Sequence, residues 1–232
     1  MSRTSEVIKA QPSSRALHRP EPTVYLVSGA NKGIGLALVT ALAALPSTLV
    51  FAGAGTPSTA TALHALAAQY PSKVKERAGR LDVLIANAGM HTIMEKAVEV
   101  GKEAMLEHFE VNALGPLVLF QSAHPLLARS PKPKFLIVST MLGSVTLGPG
   151  VPFPCTPYGT SKTALNWIAV KLPGLVATDM ATAAAKVDPA LGGFPLITPQ
   201  ESAAALLGIL GTAERGEEPA KLMGHDGVVY AW

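Results

Sequence analysis

Tyr158 and Lys162 are the two residues whose types and spacing point most directly to chemistry. They stand at positions i and i+4 of "YGTSKTALNWIAVKL", which we predict to be a helix, so both side chains project from one face. A phenol, with a pKa of about 10, is a poor acid or base at neutral pH. An ammonium group nearby stabilises the phenolate and lowers that pKa. The pair therefore predicts a general acid or base; the alternative is an exposed tyrosine beside a solvated lysine.

The elements that must position this pair are strands and helices that alternate after residue 22. Four apolar runs predict buried strands of a mostly parallel sheet: "TVYLVSG" (23–29), "TLVFAG" (48–53), "LDVLIANAG" (81–89) and "KFLIVST" (134–140). Helical segments lie between them, and a late helix begins near Thr198 or Ser202, either of which could cap it. The alternation predicts one α/β domain over 23–232, preceded by a disordered tail over 1–22.

A glycine-rich turn, "SGANKGIG", lies between the first predicted strand and the first predicted helix. Gly29, Gly33 and Gly35 would allow a tight turn and let backbone N–H groups at the helix N-terminus approach a pyrophosphate. The alternative is an ordinary glycine-rich loop. In this strand–turn–helix context the motif favours a nucleotide site.

Composition excludes several classes of function. The net charge of +3 is modest, and no block of basic residues is interleaved with aromatic ones, so a nucleic-acid surface is not expected. No apolar run is as long as a membrane span. The six histidines have no metal-ligand spacing, so no metal site is expected. Cys155 is the single cysteine, which favours a reducing compartment, and we expect a cytoplasmic protein.

Over nearly all of the sequence after residue 22, the chain resembles the short-chain dehydrogenase/reductase family. The matching pieces occur in the family's order: "SGANKGIG", "NAG" (87–89), "VNALGP", "IVST" (137–140), "YGTSK" (158–162) and "PGLVATDM" (173–180). "SKTALN" and "DGVVYAW" bring it nearer to carbonyl reductases and polyketide ketoreductases. The resemblance implies a Rossmann-type, three-layer, doubly wound sheet and a nicotinamide-dependent oxidoreductase.

The resemblance also implies roles for particular residues. Tyr158 would give a proton to a carbonyl oxygen, and Lys162 would also hold the nicotinamide ribose. Thr140 falls at the place of the family's catalytic serine, with Ser139 and Ser144 as alternatives, because a threonine hydroxyl has the same donor and acceptor capacity. Asn112 matches the asparagine that holds a water-linked proton path to the lysine. On residue preference alone, Asn112 could equally cap or pack a helix.

The expected cofactor is NADP(H) rather than NAD(H). The second predicted strand ends in "FAGAGTPS", without the acidic residue that binds a ribose 2′-hydroxyl, and Lys32 lies inside the turn. Thr56 or Ser58 could bind a phosphate, although Gly55 falls where related reductases carry arginine. The residues carried over as cofactor contacts are Gly29, Asn31, Lys32, Gly33, Ile34, Gly35, Asn87, Ala88, Gly89, Tyr158, Lys162, Pro173, Gly174, Val176 and Thr178.

Two stretches are shorter than the resemblance leads us to expect. "QYPSKVKERAGR" joins the second helix directly to the strand at 81, and only the ten residues 163–172 separate Lys162 from Pro173. A parallel connection needs a crossover of about a dozen residues or more. We therefore expect the sheet to lack the family's third and sixth strands, with "GLVAT" as a short substitute if the preceding helix partly unwinds. The shortened helix is also one that family members use to form homo-oligomers.

The functional expectation is an oxidoreductase that reduces a hydrophobic ketone or aldehyde with NADPH. Its small-molecule substrate would be the carbonyl compound or the corresponding alcohol. Largely apolar segments, 90–100, 147–157 and 180–199, would form the walls of the substrate site. The alternative is a truncated, non-catalytic protein that binds dinucleotide or serves as a scaffold.

Overall fold

Strands form at the apolar runs of the sequence. The protein is described by a computed structural model over residues 21–70, 79–151, 154–172, 176–180, 197–213 and 220–232. Seven strands in these residues make one sheet: β1 (Thr23–Val27), β2 (Thr48–Ala52), β3 (Val83–Ala86), β4 (Lys134–Ser139), β5 (Val176–Met180), β6 (Leu222–Gly224) and β7 (Val229–Tyr230). Of the expected tail, only Glu21 and Pro22 lie within the described residues, and both contact Arg80.

Helices lie between the strands in the described residues. They are α1 (Gly33–Ala44), α2 (Thr61–Gln69), α3 (Lys102–Phe109), α4 (Gly115–Leu127), α5 (Thr156–Lys171) and α6 (Pro199–Thr212). A π-helical turn, Glu110–Leu114, joins α3 to α4. Thr198 caps α6 through a capping box with Glu201, which decides between the two predicted caps. None of the described helices combines the length and apolarity that crossing a lipid bilayer requires.

The strand order is β2-β1-β3-β4-β5-β6-β7, and every pair is parallel except β6 with β7. Alternate residues of the central strands face opposite sides of the sheet, as Leu84 and Ile85 do. One side packs against α1 and α6, and the other against α4 and α5. The predicted α/β, three-layer, doubly wound fold is confirmed.

The strand at the position expected to be vacant is β5. It pairs with β4 from Phe135↔Val176 to Ser139↔Met180 and with β6 on its other side. The expectation of a missing sixth strand is therefore corrected, and β5 includes Val176–Thr178 of the segment "GLVAT" expected as a substitute. The crossover must be measured from the end of β4, not from Lys162, and it includes all 16 residues of α5. About 24 Å of helix carries the chain back to the start of β5, and α5 does not unwind.

The expected loss of the family's third strand concerns the opposite edge of the sheet. Among the described residues, β2 pairs with β1 and with no strand on its other side. Residues 71–78, which fall in the shortened connection, lie outside the described residues.

Asp82 joins three neighbouring parts of the fold just before β3. Its carboxylate accepts hydrogen bonds from the Val24 backbone N–H at 2.9 Å, the Ser130 hydroxyl at 2.6 Å and Arg80 Nε at 3.0 Å. Because Asp82 is buried, these donors replace the water that it loses on folding. They tie β1 and the end of α4 to the start of β3.

Candidate active site

The glycine-rich turn follows β1 at the point where the sheet order reverses, between β1 and β3. Ala30 N donates to Gly53 O at 2.8 Å, which brings the end of β2 alongside. Gly29 has φ +65°, and a Cβ there would lie 2.8 Å from Ala88 Cα. A Cβ on Gly35 would lie 2.2 Å from Gly29 O. There is no space for a side chain at either position. The two glycines therefore allow α1 to begin close to the end of β1.

Asn87 fastens this turn to the end of β3. Its Nδ2 donates to Ser28 O at 3.0 Å and to Gly29 O at 3.1 Å. The Ser28 hydroxyl oxygen in turn accepts from the backbone N–H groups of Asn87 at 3.1 Å and Ala88 at 3.0 Å. Carboxyl ends of strands at such a switch point are where open α/β sheets bind ligands.

The N-terminus of α1 fits an anionic ligand. Lys32, the residue before the helix, is extended and makes no side-chain cap, and the first turn has no acidic residue. Gly33 has φ +56° and open space around its Cβ position. Backbone N–H groups and the positive end of the helix dipole are thus directed to the carboxyl edge of the sheet, where a pyrophosphate can bind. Ile34 differs from the other predicted contacts because its side chain is part of the core.

Asn112 lies in the middle of the π-helical turn and is fully buried. Its Oδ1 accepts from Met90 N at 2.8 Å, and its Nδ2 donates to Met90 O at 2.9 Å and to Ser161 Oγ at 3.0 Å. Ser161 donates on to Tyr158 O at 2.7 Å. Asn112 therefore does not cap a helix; it joins the segment after β3 to α5.

Lys162 is buried at the same edge of the sheet. Its Nζ donates to Val138 O at 2.8 Å. A Cβ on Gly89 would lie 3.6 Å from this nitrogen and 3.2 Å from Asn112 Oδ1. Burial lowers the pKa of Lys162 to about 8. The lysine, the asparagine and the end of β3 thus share one small space.

Tyr158 is half-buried, and Lys162 Nζ lies 5.8 Å from the centroid of its ring. Burial, followed by the charge of Cys155, raises the pKa of Tyr158 to about 12. The expected lowering of this pKa by Lys162 is therefore corrected for this structure. Desolvation of the phenol outweighs a lysine whose ammonium is held by a backbone carbonyl.

Three hydroxyl groups compete for the place of the substrate-binding hydroxyl. Ser139 Oγ donates to Asn166 Oδ1 at 2.5 Å, and Ser144 Oγ donates to Ala231 O at 2.9 Å. Thr140 Oγ1 instead accepts from Leu142 N at 3.3 Å. The hydroxyl protons of both serines are thus committed, whereas Thr140, as far as the described residues show, uses only an acceptor position.

Comparison with known proteins decides the family. The short chain dehydrogenase family model matches residues 60–180. Norsolorinic acid ketoreductase of Aspergillus parasiticus is 32% identical over 206 residues, which span 72% of this chain and 76% of that protein. The chain belongs to the short-chain dehydrogenase family. Short chain dehydrogenase gsfK of Penicillium aethiopicum is 29% identical over 252 residues, which span 91% of this chain and all of that protein (100%).

The fold of the chain is also similar to that of solved carbonyl reductases. The NADPH-bound carbonyl reductase from chicken fatty liver superposes with a TM-score of 0.78 at 22% identity, covering 91% of this chain and 100% of that one. The family consists of oxidoreductases that use a nicotinamide dinucleotide, and this short-chain dehydrogenase is an oxidoreductase by descent.

Not every predicted contact of this short-chain dehydrogenase joins the cluster. Val176 pairs with Phe135 and Thr178 with Ile137, which places them at the start and middle of β5, whereas Met180 lies beside Ser139 at the carboxyl end. Pro173 and Gly174 lie outside the described residues. The segment that the resemblance assigns to the end of a strand is here the strand itself and the residues before it.

Three neighbours of the site were not among the predicted residues. Ser28 and Ser161 lie within the quoted motifs "SGANKGIG" and "YGTSK", and their hydroxyl groups complete the hydrogen bonds described above. His91 stacks on Tyr158, with ring centroids 4.4 Å apart. Their membership of these motifs could have indicated the two serines. No periodicity or motif marks His91.

Proposed function

We propose that this short-chain dehydrogenase reduces the carbonyl group of a hydrophobic ketone or aldehyde with NADPH, with Tyr158 as the proton donor. The observation that carries the proposal is the placement of Tyr158. It lies beside buried Lys162 and is tied through Ser161 and Asn112 to the segment that follows β3. The Cβ position of Gly89 lies close to Asn112 and Lys162. Gly89 follows Asn87 at the end of β3, and Asn87 is hydrogen-bonded to the glycine-rich turn.

The protonation state of the phenol supports reduction. With a pKa raised to about 12, Tyr158 keeps its proton at neutral pH and can give it to a carbonyl oxygen as negative charge develops there. In the described residues its hydroxyl makes no hydrogen bond, so the proton is available to a substrate. NADPH, when bound, supplies the hydride to the carbonyl carbon.

The remaining polar groups have separate roles in this proposal. Thr140 donates a hydrogen bond to the carbonyl oxygen, which positions it and stabilises its developing charge. Lys162, whose pKa burial lowers to about 8, returns a proton to the tyrosinate and binds the ribose in this proposal. Asn112 holds Met90 and Ser161 and thereby keeps the lysine, the tyrosine and Gly89 in register.

The preference for NADPH rests on the absence of a negative charge at the end of β2 and on the nearby positive charge of Lys32. That segment offers the exposed hydroxyl groups of Thr56 and Ser58 and no carboxylate, and exposed Lys32 lies on the neighbouring turn. A 2′-phosphate would meet donors and a cation there rather than a repelling acid. The solved carbonyl reductase with this fold carries NADPH.

The substrate class is inferred from segment 90–100, which the sequence analysis assigns to a wall of the site. Among the described residues after β3, the side chains of Met94 and Val98 are exposed, at 38% and 89%. Apolar groups of this kind favour an apolar ketone over a charged one. One relative is named for the reduction of a ketone, norsolorinic acid.

A dinucleotide-binding protein without turnover is the second candidate. The observation that favours it is the register of β5, which places Val176 and Thr178 away from the carboxyl edge. If the family's nicotinamide contacts depend on those residues, the cofactor would bind by its adenosine and pyrophosphate while the nicotinamide stays unsupported.

A melting-temperature titration with NADPH, and with NADH for comparison, tests binding. A ligand at 100 times its Kd that binds only the folded state adds about 2.7 kcal/mol of stability. We expect a larger rise with NADPH. An absent rise for both would contradict the proposal.

Turnover is tested by NADPH oxidation with a panel of apolar ketones and aldehydes. Tyr158→Phe should lower kcat by about 10²-fold or more, because it removes the proton donor and nothing else. The Kd for NADPH should stay within about twofold of the parent value. Binding without turnover in the parent would support the second candidate, and an unchanged rate in Tyr158→Phe would exclude Tyr158 as the acid.

A further inference from the structure

We infer that His91 is a positioning residue for the phenol of Tyr158, an inference that rests on the proposed function. The imidazole and the phenol are stacked, with centroids 4.4 Å apart and planes inclined by 9°. Such a contact restricts rotation of the phenol about its side-chain bonds, since any tilt separates the two faces.

Few other groups among the described residues orient the phenol. Its hydroxyl makes no hydrogen bond within the described residues, and the ammonium of Lys162 is held by Val138 O, 5.8 Å from the ring centroid to Nζ. A proton donor must lie within hydrogen-bond reach of the carbonyl oxygen in a defined direction. The face contact with His91 is therefore placed to supply the restraint that polar partners do not.

His91 itself is held on both sides along the chain. Met90, before it, makes two hydrogen bonds with the carboxamide of Asn112, at 2.8 and 2.9 Å. Thr92, after it, donates its backbone N–H to Nε2 of buried His108 at 3.4 Å. The backbone on both sides of exposed His91 is therefore anchored, and this keeps its ring within reach of Tyr158.

His108 is in turn fixed by its own helix. Its Nδ1 lies 2.8 Å from Ala104 O and donates to it, which leaves Nε2 as the acceptor for Thr92. The stack thus joins α3, through His108, to α5, through Tyr158. Contacts from α3, through His108 and then Thr92 and His91, therefore reach the proposed acid on α5.

The variants His91→Ala and His91→Phe test this role, with surface His225→Ala as the matched control. His91→Ala removes the stacked ring and should lower kcat about tenfold, while the Kd for NADPH stays within about twofold. His91→Phe keeps a flat ring and should retain kcat within about threefold. An unaltered kcat in His91→Ala would overturn the role; so would a phenylalanine variant as slow as the alanine one, because the ring face would then not be the property that matters.

A second readout separates this inference from the proposed function. The titration of Tyr158, obtained as the difference between parent and Tyr158→Phe absorbance curves, needs no turnover. Uncovering one face of the ring admits water, so His91→Ala should move the pKa of Tyr158 downward from about 12, and His225→Ala should leave it in place. A parent without turnover would refute the reductase proposal, whereas an unmoved titration in His91→Ala would refute the stack.

Discussion

The carboxamide of Asn112 pairs with both backbone polar groups of Met90, accepting from its N–H at 2.8 Å and donating to its carbonyl at 2.9 Å. The two residues are 22 positions apart, and the asparagine is fully buried. This pair holds the segment after β3 against the helices that carry the site. Asn112 lies in a π-helical turn, a feature frequent at functional sites.

Asn112→Ala should therefore affect both stability and catalysis. It leaves two backbone groups of Met90 without partners, at a cost of about 1–3 kcal/mol in the free energy of unfolding. Urea denaturation measures this loss. Ser161→Ala is the matched variant, since it keeps the Asn112–Met90 pair and should cost less. Equal losses for the two variants would contradict the assignment of the main restraint to Met90.

Buried Lys162 predicts a dependence of stability on alkaline pH. Its pKa is about 8 in the folded protein against an ordinary value of 10.5, so between these values the unfolded chain binds more protons than the folded one. The free energy of unfolding should then rise from pH 8 toward pH 10, by at most about 1.4 kcal/mol per pH unit.

The same window is bounded above by Tyr158. Its folded pKa of about 12 exceeds its ordinary value of 10.0, so stability should fall with pH above 10. Denaturation midpoints measured at several pH values test both signs. Lys162→Met should remove the rise, while exposed Lys132→Met should preserve it. A rise that survives in Lys162→Met would show that another group titrates.

Asp82 predicts a dependence of stability on acid pH. Burial raises its pKa, but hydrogen bonds from Ser130, Val24 and Arg80 outweigh that effect and lower it below its ordinary value of 3.8. The stability that these bonds contribute is complete above the unfolded pKa and is lost as pH falls through the folded pKa. Asp82→Asn should cost about 1–3 kcal/mol at neutral pH and flatten the acid limb.

The control for Asp82 is exposed Glu107→Gln on α3, which should change stability little. Thermal melts between acidic and neutral pH provide the comparison. An acid limb in Asp82→Asn as steep as that of the parent would mean that other carboxylates govern acid unfolding.

Gly35 predicts a steric requirement of the cofactor site. A Cβ there would lie 2.2 Å from Gly29 O and 2.5 Å from Asn87 Nδ2, so Gly35→Ala must displace the turn. We expect it to weaken NADPH binding at least tenfold, measured by calorimetric titration. Gly208→Ala is the matched control, because its Cβ would have open space in α6 and alanine favours a helix. Unchanged affinity in Gly35→Ala would contradict the placement of the cofactor at this turn.

The features that depend on neighbours along the chain could be predicted from the sequence. Apolar runs of strand length and helical spacing predicted the α/β alternation, and the i, i+4 spacing put Tyr158 and Lys162 on one helix, α5. The turn before Ile34 followed from its glycines. These properties are local, because the period of a strand or helix acts between residues a few positions apart.

Tertiary structure decided what depends on residues that are distant along the chain. The pairing of β5 with β4 replaced an expected gap with a strand, because the length of α5 and not the spacing of two motifs sets the crossover. The protonation of Tyr158 and Lys162 reflects burial, which no local spacing reports. The stack of His91 on Tyr158 joins residues 67 positions apart, since 158 − 91 = 67. Only packing could bring those two rings together.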